Sequence, residues 1–196
     1  MNFSDWIQIL AAAATIVLLV AAAFSDITRY RIPNTIVYAI VAAFAVGAIF
    51  NFAWPAIVWP VLAGVAMFLL GAGLFALGLF GGGDVKLIAA MALWTSFTDL
   101  PRFLLIMGAA GGLIGLVLLL KRRRQQAALA SSAPPPAEST MVEAAGPGAS
   151  ETPPSEPPRP TRKSHIPYGV GIAVAGLDFF LISPHSPLAA LWPWMQ

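Results

Sequence analysis

Apolar residues gather into six stretches, at about residues 6–24, 36–52, 57–80, 85–97, 103–120 and 168–182, with polar, glycine or proline breaks between them. A helix that crosses a bilayer needs about 20 predominantly apolar residues. The stretch at 85–97 falls short unless it takes in the glycines before it or begins below the membrane surface. The last is also short and carries Asp178 about halfway along. The pattern predicts an all-α polytopic membrane protein, a bundle of about six transmembrane helices.

Composition supports this class. Hydrophobic residues make up 58% of the chain and charged residues 10%, against about 25% charged in soluble domains. The net charge of +2 is too small to point to nucleic acid. The absence of cysteine removes disulfides, thiol catalysis and cysteine-based zinc sites, and the two histidines, His165 and His185, have no metal-site spacing to a partner. No metal or cofactor is expected.

The basic residues set an orientation. No basic residue precedes the first apolar stretch, whereas Arg29 and Arg31 follow it, which favours an uncleaved first helix with its N-terminus outside. With residues 25–35 in the cytoplasm and six alternating helices, ten of the eleven basic residues lie inside and only Arg102 lies outside. This matches the positive-inside rule. Both termini then face out, with Trp192 and Trp194 in the outer interfacial belt. Asp26, Asp84 and Ile166-Pro167-Tyr168-Gly169 all fall on the cytoplasmic side.

Three regions follow. Residues 1–120 form a membrane domain of five helices, and residues 166–196 the last helix with an outer-side tail. Residues 121–165 between them are rich in Ala, Pro, Ser and Glu, including Pro134-Pro135-Pro136. Such a segment cannot bury enough apolar surface to offset its ordering entropy and reads as a disordered cytoplasmic linker. The Lys121–Arg124 run before it marks the cytoplasmic face and is suited to anionic lipid.

Chemistry concentrates at Gly81-Gly82-Gly83-Asp84, which breaks the apolar run from 52 to 97, where Asp84 and Lys86 are the only charges. Ionisable groups at membrane depth are rare and usually functional. The glycines end one helix, allow close backbone approach and let the next helix begin near Asp84, where exposed N–H groups favour a carboxylate. A plain helix cap is the competing structural reading. Asp26 follows the first helix, in Ser25-Asp26-Ile27-Thr28-Arg29-Tyr30-Arg31-Ile32-Pro33-Asn34. Alone it reads more readily as an interfacial aspartate paired with Arg29 than as a functional group. Two carboxylates on different helices at one face can share a proton and perform acid/base work on a peptide bond.

These three motifs together resemble the type IV prepilin peptidases, membrane aspartyl proteases named for a Gly-x-Gly-Asp motif. The likeness covers about residues 10–122 and 163–182. It implies that Asp26 and Asp84 are catalytic. Gly81, Gly83, Lys86, Pro33, Asn34, Pro167, Tyr168 and Gly169 would support the site or bind substrate. It further implies cleavage of the short basic leader of prepilins or pseudopilins at the cytoplasmic face of the bacterial inner membrane. Membrane lipid and pilus-assembly proteins are the other implied partners. The chain lacks the cysteine-rich insert of the bifunctional members, so no N-methyltransferase activity is expected. It is similar to the small peptidase-only branch tied to Flp-type pili. Two competing classes remain open from sequence: an ion- or proton-coupled transporter using Asp84 and Asp178, and a non-catalytic pilus-assembly scaffold.

Overall fold

The computed structural model describes residues 2–29, 31–51, 55–132 and 168–191. The chain divides into two units, one of Met1–Leu116 with Ile166–Gln196 and one of Val117–His165; the bundle and site below belong to the first. The helices are α1 (Phe3–Arg29), α2 (Asn34–Asn51), α3 (Val58–Ala76), α4 (Gly82–Ser132), whose residues beyond Leu116 fall in the second unit, and α5 (Tyr168–Ile182), followed by a single turn at Ala189–Leu191. Among the described residues, α1 to α4 are long and apolar enough to cross a membrane, and α5 is a shorter apolar helix.

The stretches at 85–97 and 103–120 both lie in α4, which is interrupted at Ser96 by non-helical backbone with φ 50° and ψ −170°. Contacts with α5 give the directions of the two limbs within this unit, 82–95 and 97–116. Going along α5, Gly176 packs beside Met91 and Phe180 stacks on Trp94 at 5.2 Å, so the first limb runs parallel to it. Tyr168 lies against Gly111, Gly171 against the Met107 carbonyl, Asp178 pairs with Arg102, and Ser183 bonds Asp99. The partner numbers now fall, so the second limb runs antiparallel and the chain reverses at Ser96.

Glycines let α5 approach α4 and α1. A Cβ at Gly171 would lie 2.9 Å from the Met107 carbonyl oxygen, and one at Gly176 only 2.6 Å from Leu19 Cδ1. Small residues at such crossings let helix backbones close up. Gly111 also serves in packing, against Tyr168, whereas Gly108 and Gly112 face open space. Leu19, Leu87, Met91, Ile172 and Phe180 fill the centre of the bundle with no more than trace exposure.

One end of the bundle carries Asp99, which accepts from Ser183 Oγ at 3.1 Å and lies 3.3 Å from His185 Nδ1. Asp178 sits nearby in an ion pair with Arg102 at 3.0 Å. A carboxylate inside an apolar helix is costly unless paired, and the cation that the charge pattern sets apart is the one that pairs with it.

The second limb of α4 continues to Ser132. Helix therefore enters the segment that composition assigns to a disordered linker. Lys121 to Leu129 are mostly strong helix formers, so the limb propagates beyond the apolar stretch. The rest of that segment, Trp192 and Trp194 lie outside the described residues.

Candidate active site

The end opposite Asp99 gathers the sequence motifs. Asp26 lies in the last turn of α1, buried with 3% of its surface exposed, and Asp84 in the first turn of α4, with 6%. The two carboxylates come from helices far apart in sequence and interact electrostatically.

Local sequence explains the position of Asp84. Leu77 to Phe80 leave the helical path after α3, with Gly78 at φ +74°. Helix resumes at Gly82, and the Val85 N–H donates to the Gly81 carbonyl at 3.2 Å. Asp84 is thus the third residue of α4, and its carboxylate accepts a hydrogen bond from the Gly81 backbone. A side chain reaching back to the N-cap amide from this position satisfies an orphan donor. The Asp84 carboxylate therefore caps its own helix, and it also feels the charge of Asp26.

Asp26 is held from a third helix. The Gly169 N–H, in the first turn of α5, donates to Asp26 Oδ2 at 2.8 Å. A Cβ at Gly169 would lie 2.8 Å from the same oxygen, 3.0 Å from Asp26 Cβ and 3.1 Å from Cγ. Glycine is required here for the close approach of α5 to the carboxylate. The neighbouring Tyr168 ring packs on Phe80 at 5.2 Å and against Gly111. Pro167 lies outside the described residues.

The loop between α1 and α2 crosses the same end. Ser25 Oγ donates to the Arg31 carbonyl at 2.8 Å. Ile32 covers Gly83, where an added Cβ would lie 3.3 Å from Ile32 Cβ. The Pro33 carbonyl accepts from the Ile36 N–H at 3.1 Å and opens α2. Lys86 Nζ donates to Asn34 Oδ1 at 3.1 Å. The space that the third glycine leaves open is therefore taken by the protein's own loop. Sequence patterns did not single out Ser25 or Phe80 as part of this end. Ser25 is adjacent to Asp26, and Phe80 to the glycines, which was the available signal. Among the described residues no group of three or more His, Asp or Glu side chains is arranged to hold a metal ion.

Two buried carboxylates on separate helices, one held by an interhelical amide and one by its own helix N-terminus, form the kind of pair that can exchange protons with a bound amide. They define an apolar helical protein with a carboxylate dyad at one end of its bundle. The type IV leader peptidase family matches residues 13–116, a stretch that includes both aspartates. The chain belongs to that family and is a peptidase. No curated protein and no solved structure matches it.

Proposed function

We propose that the protein is an aspartyl endopeptidase that removes the basic leader of type IV prepilins of the Flp kind, with Asp26 and Asp84 as its catalytic pair. The carrying observation is the burial of both carboxylates at the same end of the bundle, on α1 and α4, close enough to interact electrostatically. One carboxylate, ionised, takes a proton from water as the water oxygen attacks the scissile carbonyl carbon. The other, protonated, gives its proton to the carbonyl oxygen. The resulting tetrahedral diol collapses and returns a proton to the second carboxylate. The first then passes its proton to the departing amine as the C–N bond breaks. The pair enters and leaves the cycle with one proton, so general acid and base are both regenerated.

In this reading the dyad faces the cytoplasm of the inner membrane. Neighbouring helices alternate in direction. Asn51 bonds Ser4 and Gly47 faces Ala11 between α2 and α1. Gly64 and Gly71 of α3 meet Leu93 and Val85 of α4, and Gly169 and Gly176 of α5 meet Asp26 and Leu19 of α1. This supports six crossings with outward termini, as does the bias of basic residues. The substrate's apolar helix would then lie in the bilayer while its basic leader reaches the dyad. A transporter reading is weakened by the Arg102–Asp178 ion pair, which occupies the carboxylate that reading requires.

Co-expression with candidate prepilins, followed by sequencing of the mature N-termini, tests the function. The expected product begins at one defined position after the basic leader. Unprocessed prepilin across the candidates, with the protein inserted in the membrane, would contradict the proposal. A second expectation concerns pH. Cleavage should fall on the alkaline side, because the mechanism requires one shared proton and loses it as the pair becomes doubly ionised. Initial rates across neutral and alkaline buffers check this. A flat profile well above neutrality would exclude a proton-sharing dyad.

A further inference from the structure

The short loop from Arg31 to Asn34 is fastened beside both carboxylates. Ser25, next to Asp26, bonds the Arg31 carbonyl at 2.8 Å. Gly83, next to Asp84, receives Ile32. Lys86, one residue beyond Val85, bonds Asn34 at 3.1 Å. The loop thus ties the end of α1 that carries Asp26 to the start of α4 that carries Asp84.

Lys86 has three candidate tasks: to face the dyad, to contact substrate, or to hold this loop. Residues two apart on a helix do not share a face, because the intervening rotation is about 200°. Asp84 is buried, whereas the Lys86 ammonium reaches across to the first residue of α2. An ammonium can only donate, so the Asn34 amide is oriented with its oxygen toward Lys86. This hydrogen bond joins two helix starts beside a four-residue connection, so it helps to set where the loop sits on Gly83.

We infer that Lys86 is a positioning residue that acts through Asn34, holding the loop at 31–34 across the dyad so that Asp26 and Asp84 keep their mutual geometry. This rests on the peptidase proposal above for its kinetic consequence, but not for its structural one.

A double-mutant cycle with a cleavable prepilin gives the kinetic test. Lys86→Met and Asn34→Ala should each lower kcat by about tenfold with little change in KM, and the double variant should be no worse than either single one. The shape of the pH profile should be the same in all. Lys86→Arg, which still donates to an amide oxygen, should keep more of the rate than Lys86→Met. A shifted pH profile in Lys86→Met but not in Asn34→Ala would overturn the inference in favour of direct action on the dyad. A rise in KM alone would overturn it in favour of substrate contact, and multiplicative losses would overturn it by removing the coupling.

The structural arm needs no activity. The natural chain has no cysteine, so Ile32→Cys with Gly83→Cys introduces one possible crosslink, at a Cβ separation close to the 3.5–4.5 Å of disulfides. Oxidation in membranes should form it readily with Lys86 and Asn34 present and more slowly with Lys86→Met or Asn34→Ala. Equal rates would overturn the inference. Unprocessed prepilin with a Lys86-dependent crosslink would instead count against the peptidase proposal and leave the loop assignment standing.

Discussion

Purified protein carrying Asp84→Asn is expected to leave prepilin uncut while inserting and folding as the natural chain does. The substitution separates chemistry from architecture. Asp84 accepts a hydrogen bond from the Gly81 backbone, and the amide oxygen of asparagine can accept it too, so the start of α4 keeps its cap. The amide cannot ionise or hand over the carboxyl proton. General acid–base groups are worth about 10²–10⁴ in rate, so cleavage should drop by about 10⁴-fold, to the limit of detection. Asp26→Asn should do the same. Because the two carboxylates work as one unit, the double variant should be no less active than either single one. Product analysis by mass spectrometry, with membrane-fraction yield as the folding control, decides the matter. Retained cleavage in Asp84→Asn would remove the dyad from the mechanism, and pilin maturation supported by the double variant would favour the scaffold reading.

The second large effect is expected from a methyl group. In Gly169→Ala the new Cβ would meet Asp26 Oδ2 at 2.8 Å and Asp26 Cβ at 3.0 Å, both closer than ordinary contact. The Ala N–H can still donate, so the damage comes from displacement of the carboxylate or of the α5 start. A misplacement of about 1 Å can cost about 10²-fold in rate, and a loss of this size is expected here. Gly171→Ala is the informative contrast: its clash is with the Met107 carbonyl and the Gly111 backbone, away from Asp26. It should lower thermal stability in detergent more than it lowers activity per folded molecule. Gly112→Ala, facing open space, should change neither. If Gly169→Ala cleaved as fast as the natural chain, the close approach of α5 to Asp26 would have no catalytic role.

Much of this was legible in the sequence because its causes are local. Long apolar runs make helices that can cross a membrane, and a break near the glycines and before Pro33 was expected; the first of these breaks lies at residues 77–81, with Gly82 and Gly83 opening α4. The residues around Asp26 and Asp84 and the pair Tyr168-Gly169 were recognisable as motifs. What could not be read was which of them touch. Gly169 and Asp26 are 143 positions apart, Arg102 and Asp178 are 76 apart, and Lys86 and Asn34 are 52 apart. Helices apolar on nearly every side do not announce which face turns inward, so their rotation is set by packing.

An apolar helical protein, the approximate places of its helix breaks and the residue types gathered near Gly81–Asp84 were all readable from local pattern, because hydropathy and backbone preference act over a few residues. Only packing between helices placed the reversal, expected between the fourth and fifth apolar stretches, at Ser96, and set the burial of Asp26 and Asp84 at one end of the bundle, the amide of Gly169 on Asp26, the pairing of Asp178 and the partner of Lys86. Each of these depends on close contact between helix faces, where the absence of a single Cβ settles how near two segments can come.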